Sequence, residues 1–475
     1  MHRRHFLLGS SALLVAGCGA RKSSLAIPSY LEETVAWIEG TGRARLVQRA
    51  GRALDDGTSR EDIERALLIA CCRQLPFSEL GGYAHPLWHV TVAWELGQRA
   101  DQGVLALMHA LDRFKQGQNG ARSEALENVS ELDEAAVISD EAALVDAFDN
   151  WDAEAADVAA VGLLRDDPVR LRAVVLRYGL RSVGAIGHVQ VHTALVIRAL
   201  DRLGWDESVV RTVVYGLITE KDREAHLLAP WDDNLTRIGQ LPDDWALGEP
   251  DDTASIALVP ALRTRDSDEA VQALLDAFAA GVRLPAAWDA LRLSAAELSL
   301  RHAGDDGVFP GFHTMTGLNG CRWLLENAPD DDTARMALLQ AAALLAVNRA
   351  EAEDRGEGGS DLDIVRITGG GRGSAEGVLD LAGEDREAAA GCLVAWLDAG
   401  GSTEDFIAVQ GAGMLARAVE EHHIKLPVAA WEEAADTHPA LASRVLAAGL
   451  AWGVTRADPE WPYHLEALEV AARAG

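Results

Sequence analysis

Fourteen histidines occur in the chain, and four of them open segments unlike a generic surface. The first segment is Tyr83-Ala84-His85-Pro86-Leu87-Trp88-His89, followed by Val92, Ala93 and Leu96. Pro86 suits the first position of a helix, which makes His85 a cap residue whose side chain need not share the direction of His89. The second is Gly187-His188-Val189-Gln190-Val191-His192, leading into Leu195, Val196, Ala199 and Leu203. There both imidazoles fall on the face that continues as an apolar stripe, so they point inward from a first helical turn. The third is Gly311-Phe312-His313-Thr314-Met315-Thr316-Gly317-Leu318-Asn319, where Gly317 and Gly320, beside Cys321, let another backbone come close. The fourth is His422-His423-Ile424-Lys425, after which Pro427 is expected to start a new helix.

Imidazole suits zinc, copper, iron and nickel, and histidines four apart on a helix can share an ion. The expectation is one buried polar pocket with His85, His188, His313 and His422 as metal ligands, the ion being iron, copper or zinc. His188, His313 and His422 are the candidates for catalysis. His89, His192 and Glu297 would support the cofactor from behind, orienting ligands through a second ring nitrogen or a carboxylate. Neither His-x-x-x-His pair carries the glutamate of His-Glu-x-x-His, which excludes that class of zinc protease. Glu297, inside the apolar Leu293–Leu298 stretch, could ligate metal or hold a raised pKa; its alternative is a salt bridge to Arg292 or Arg301. Asp157 is expected to pair with an arginine such as Arg181. Trp88, Trp151, Trp205, Trp288 and Trp323 read as core.

The elements that must position these groups read as helices almost throughout. Ile63, Ala66, Leu67, Ala70 and Cys71 mark one helical face behind the capping-box sequence Thr58-Ser59-Arg60-Glu61. Trp288, Leu291, Ala295, Leu298 and His302 mark another. Alternating strand patterns are nearly absent, and no solenoid repeat has a convincing register. The fold class is therefore all-α, a large irregular helical bundle or array with a smaller C-terminal section. Its organisation is a main body over 29–350, a glycine-rich loop over 351–377 and a helical section over 378–475. Ile364-Val365-Arg366-Ile367, ahead of Gly369-Gly370-Gly371, could be a strand feeding a phosphate cradle. No Gly-x-Gly-x-x-Gly or P-loop is present, so a mobile surface loop is the preferred reading. Nor is there a Gly-x-Ser-x-Gly elbow.

Residues 1–18 have the form of an export signal: Arg3-Arg4, an apolar run to Ala16, then Gly17-Cys18. The run is about half the ~20 residues that cross a bilayer. Val15-Ala16-Gly17-Cys18 resembles a lipobox, which implies cleavage before Cys18 and acylation there, with 19–28 as a tether. Arg3-Arg4-x-Phe6-Leu7 resembles a twin-arginine signal, an ordinary secretory leader being the alternative. The expected location is the periplasmic or cell-surface side, with membrane attachment through the lipid on Cys18. A net charge of −31 argues against nucleic acid, whose binding rests on Lys and Arg at phosphates. Of five cysteines, Cys71, Cys72, Cys321 and Cys392 remain after Cys18; two are adjacent and none forms Cys-x-x-Cys, so they read as small apolar residues.

Several segments resemble a family of large, uncharacterised, helical bacterial proteins: Leu111-Asp112-Arg113-Phe114-Lys115, Trp151 to Asp157, Gly187-His188 and Leu203-Gly204-Trp205. The resemblance continues through Trp288-Asp289-Ala290-Leu291, Ala295 to Leu298, His313 with Thr316 and Asn319, and Leu338 to Ala342. That family tends to show a His-Asp-Tyr-Lys stretch near its C-terminus. Here it falls on His422-His423-Ile424-Lys425, which keeps the first histidine and the lysine but not the acid or the phenol. More distantly the helices are similar to questin oxidase-like proteins, a name linked to oxygen insertion into a polyketide ketone. The nearer resemblance implies a common fold and pocket rather than a known reaction. Two functions stay open at this point: a metal-dependent oxidoreductase acting on a small molecule, and a non-catalytic lipoprotein that binds a ligand or partner.

Overall fold

A computed structural model describes residues 29–74, 85–120, 136–218, 225–303, 309–355, 359–369 and 373–474. The leader, Cys18 and the tether lie outside the described residues. Twenty-two α-helices and five short 3-10 turns make up the described elements, and no strand occurs among them. The protein is an all-α helical array.

Helix ends follow local chemistry. Asp140, Asp152, Asp167, Asp251, Asp266 and Asp385 each cap a helix by accepting a hydrogen bond from a backbone N–H one turn in. The helix Arg60–Gln74 is capped by Ser59, whose Oγ accepts from Asp62 N at 3.0 Å and donates to the Asp62 carboxylate at 2.6 Å. The cap thus sits one residue later than the Thr58–Glu61 frame, because Asp62 at the third helical position answers Ser59. Ile63, Ala66, Leu67, Ala70 and Cys71 are all buried, as their spacing requires.

Three helices form the centre. Leu284–Arg301 is buried from Leu284 to Leu300 apart from Pro285, more than its one apolar stripe demands. Phe309–Glu326 packs beside it, and Asp331–Arg355 runs along the second face. A helix buried on all sides belongs in the interior of a large domain, and the charged Asp289, Arg292 and Glu297 of Leu284–Arg301 are paired there. Around this core stand His85–Arg99, His188–Leu203 and His422–Ala435. The last, from the C-terminal section, packs on both Phe309–Glu326 and His85–Arg99. Pro427 lies inside this helix rather than at its start. The helix begins with His422, so it spans the proline and forgoes the one backbone donor that proline lacks.

Residues 361–369 form a turn and irregular chain, with no strand at Ile364–Ile367. They are not loose: Leu362 and Ile364 are buried, and Ile364 N donates to Glu297 Oε2 at 3.2 Å. Cys71, Cys72, Cys321 and Cys392 are buried and unbridged, with burial pushing the Cys72 thiol up to about 12. These are packing residues. No helix among the described residues is long and apolar enough to cross a membrane.

Candidate metal centre

His188 reaches its place through an unusual turn. Ile186 has φ 52° and Gly187 φ 86°, two successive left-handed residues immediately before the helix. For a β-branched residue this is a strained conformation, held by what surrounds it. The turn fits against the Phe309–Glu326 helix at Gly317, where a Cβ on Gly187 would stand 3.1 Å from Gly317 Cα. One turn on, a Cβ on Gly320 would meet the Gln190 carbonyl carbon at 2.8 Å. Gly317 and Gly320 therefore admit the second backbone, and His188 and His313 meet with ring centroids 4.8 Å apart.

The four expected imidazoles do converge. His85 lies 5.2 Å from His188 and 4.7 Å from His422, and His313 lies 4.8 Å from His422, all between ring centroids. His85 and His313 are 6.5 Å apart. Ligand-capable nitrogens of His85, His188 and His313 fall within 4.8 Å of one another, as do those of His85 and His422 with a carboxylate oxygen of Glu421. All four histidines are buried.

Two of the rings have their tautomers set from behind. His313 Nδ1 lies 2.8 Å from the Phe309 carbonyl, which can only accept, so Nδ1 carries the proton. His422 Nδ1 lies 2.6 Å from Glu420 Oε2. Burial pushes the Glu420 carboxyl upward, but its hydrogen bond with His422 and the nearby imidazoles outweigh this and hold it well below the usual range. Glu420 is an ionised acceptor, which also takes the Trp452 indole N–H at 2.8 Å, so His422 Nδ1 carries the proton too. In a neutral imidazole the other nitrogen is then a bare lone pair. These two lone pairs, His422 Nε2 and His313 Nε2, face each other at 3.1 Å.

Unshared lone pairs at that distance repel, so the contact calls for a cation between them, either a proton or a metal ion. Burial, reinforced by Lys425 and the neighbouring imidazoles, holds His313 well below its ordinary pKa and disfavours protonation of His313 itself; a proton on His422 Nε2 donated to His313 Nε2 satisfies the contact, as does a metal ion. Two imidazoles bound tetrahedrally at 2.0–2.1 Å would have nitrogens about 3.3 Å apart. Carboxylate behind histidine behind metal is a recurrent second layer of such sites. The donor set fits a transition ion.

The walls are aromatic. Trp88 lies 4.7 Å from His85 and 5.0 Å from His188, and Phe312 packs on His313 at 4.5 Å and on Trp452 at 4.9 Å. His192 does not reach the cluster itself. Its Nδ1 accepts the Trp88 indole N–H at 2.9 Å and so fixes that wall, while burial holds its pKa down to about 3. His89 makes none of the ring contacts that join the four clustered imidazoles, and His85, expected as a cap residue, is the first residue of the helix His85–Arg99. Burial, with Arg113 and His109 nearby, brings His89 down to about 3, and neither of its ring nitrogens has a hydrogen-bond partner among the described residues. Glu297 goes elsewhere: Arg263 takes both its oxygens at 3.0 and 2.6 Å, with Arg301 at 3.6 Å. Asp157 is likewise spent on an arginine, Arg211 at 2.7 Å, while Arg181 stacks on Trp151.

Sequence reasoning passed over Glu420 and Glu421, and named Lys425 only as part of the His422–Lys425 stretch without giving it a role. Lys425 is buried with no hydrogen-bond acceptor at Nζ among the described residues, and Nζ sits 5.1 Å from the Trp88 ring centroid. Burial, only partly opposed by Glu421 and Glu420, pulls its amine down to about 8. Also unforeseen was the clamp that holds this helix in place. Glu433 accepts from Arg292 Nε at 2.8 Å, Arg322 Nε at 2.6 Å and Asn319 at 2.9 Å, and Glu432 accepts from Arg198 at 2.8 Å. Only the spacing of seven residues between Lys425 and Glu432, two turns along one face, hinted at Glu432. No family model, curated protein or solved structure matches the chain.

Proposed function

We propose that this chain is a metal-dependent oxidoreductase whose ion is held by His313 and His422, with His85 and His188 completing the donor set. The 3.1 Å approach of His422 Nε2 and His313 Nε2, each ring held at Nδ1 from behind, supports the reading. Iron, copper or zinc suits four imidazoles with one carboxylate at the edge. A bound ion would supply Lewis acidity or electron transfer at a small-molecule substrate. The protein's own groups then have distinct tasks. Glu420 and the Phe309 carbonyl hold the Nδ1 protons, Trp88 and Phe312 exclude water, and Glu421 sets a negative charge 3.5 Å from His85 Nδ1. The redox assignment draws on the likeness to questin oxidase-like proteins. An exported, lipid-anchored location, with folded export through a twin-arginine signal, would let the ion be loaded beforehand.

Elemental analysis of protein purified from its native compartment tests the proposal. Near-stoichiometric iron, copper or zinc is expected, falling to background in His313→Ala with the helical circular dichroism retained. Metal-free wild-type protein would overturn it and leave the non-catalytic binding protein as the better description.

A further inference from the structure

We infer that the Phe309 side chain is the door of the histidine cluster, its size and position governing which small molecules from solvent reach His313 and His422. Of the aromatic rings that touch the four imidazoles, Trp88 and Phe312 are buried, whereas Phe309 is 39% exposed. Its ring centroid lies 6.3 Å from that of His313 and 6.5 Å from that of His422. One side chain therefore borders both the solvent and the pair of rings whose Nε2 atoms face each other. Among the described residues it is the only exposed phenylalanine or tryptophan.

The cavity beside the cluster is too small to compete as an entrance. Bordered by Val92, Leu195, Thr316, Asn319, Glu432 and Lys425, it measures about 20 Å³, room for a single water.

The frame of the door is fixed, and the door is not. Three consecutive carbonyls at the start of the helix Phe309–Glu326 each accept a side-chain hydrogen bond. Phe309 O takes His313 Nδ1–H at 2.8 Å, Pro310 O takes the Thr314 hydroxyl at 2.8 Å, and Gly311 O takes the Ser299 hydroxyl at 3.1 Å. Phe312, the buried neighbour, is stacked on Trp452. With its backbone held this way, the Phe309 ring can turn about its Cα–Cβ bond without moving the His313 imidazole. Such rotations of exposed side chains are fast, on the order of picoseconds to nanoseconds. Closed, an apolar ring keeps bulk water from the imidazoles and strengthens the polar interactions behind it. Open, it uncovers them. The inference rests on how the rings are placed and applies to the cluster with or without an ion.

Carbethoxylation tests it. Full-length protein as isolated, with and without prior dialysis against dipicolinate to withdraw any ion, is treated with diethyl pyrocarbonate. Each histidine is then followed by peptide mass spectrometry. After dialysis, His313 and His422 are expected to react at least roughly tenfold faster in Phe309→Ala than in the wild type, because the covering ring is gone. Phe309→Trp should react no faster than the wild type. His109 and His192, buried and without ring contact to Phe309, should keep their wild-type rates. A rise at those two reports a loosened fold, and Phe309→Leu then decides by the same comparison. Rates at His313 and His422 that stay within about twofold of the wild type overturn the proposal, since a covering group must slow access. Metal content of the starting material separates the two ideas. Faster labelling in a metal-free preparation leaves the door standing alone, and bound metal with unchanged labelling leaves only the metal centre.

Discussion

Glu420 is the residue on which the chemistry of His422 turns. Its carboxylate fixes which nitrogen faces His313, and it does so while satisfying the Trp452 indole and two backbone amides. Glu420→Gln keeps the shape but offers a weaker acceptor, or an amide donor at the wrong atom. Removing such a partner typically costs 10–100-fold in metal affinity, so a competition titration with a chelator should show a loss of roughly that size. A change under about twofold would mean the ring is oriented by packing alone. His85, His188, His313 and His422 were legible as candidates because histidine near an apolar helical face is rare enough to notice. Glu420, Glu421 and Lys425 were not, because acids and lysines usually lie on a solvated face. Their burial comes from residues distant in the chain, Trp452 for Glu420, Arg113 for Glu421 and Trp88 for Lys425.

At the scale of elements, the site depends on two helices coming unusually close. Gly320→Ala would drive a Cβ into the Gln190 carbonyl, backbone that cannot swing aside as a side chain would. A destabilisation of about 1–3 kcal/mol is expected in urea unfolding, together with a loss of metal retention as His188 and His313 separate. Gly317→Ala should cost less, since its nearest obstacle is the movable Leu344 side chain at 2.8 Å. The clamp on the opposite side is tested by Glu433→Ala, which leaves Arg292 and Arg322 buried without their shared carboxylate. Breaking a buried pair in this way costs about 3–5 kcal/mol. The approach of a second backbone at Gly317 and Gly320 was readable from small residues at helical spacing. That Pro427 would be carried within a helix was not, because a proline also marks helix starts, and the helix here begins five residues earlier at His422.

For the whole molecule, burying many neutral histidines makes stability depend steeply on acidity. Burial holds His89 and His192 down to about 3 and His109 to about 4, each from an ordinary value of 6.5. The unfolded chain therefore takes up protons first, below pH 6.5, while the folded chain stays neutral there. Stability is fully present above that pH and is lost as pH falls toward the folded values. Between pH 6.5 and 5 each such histidine costs about 2 kcal/mol, so three cost an amount comparable to the stability of a typical domain. The urea midpoint should drop sharply between pH 7 and 5, and a flat profile would contradict the burial of these rings. The all-α class was legible because the 3.6-residue period survives in every long segment. How the helices assemble was not, since buried polar pairs such as Glu433 with Arg292 and Arg322 leave no periodic trace. That assembly also sets a timetable for biosynthesis. With one imidazole contributed by position 85 and another by position 422, a ribosome must release more than three hundred residues beyond the first before all the proposed ligands can be in place. The trio of His85, His188 and His313 is made first, and His422 joins it only when the C-terminal section has folded against it.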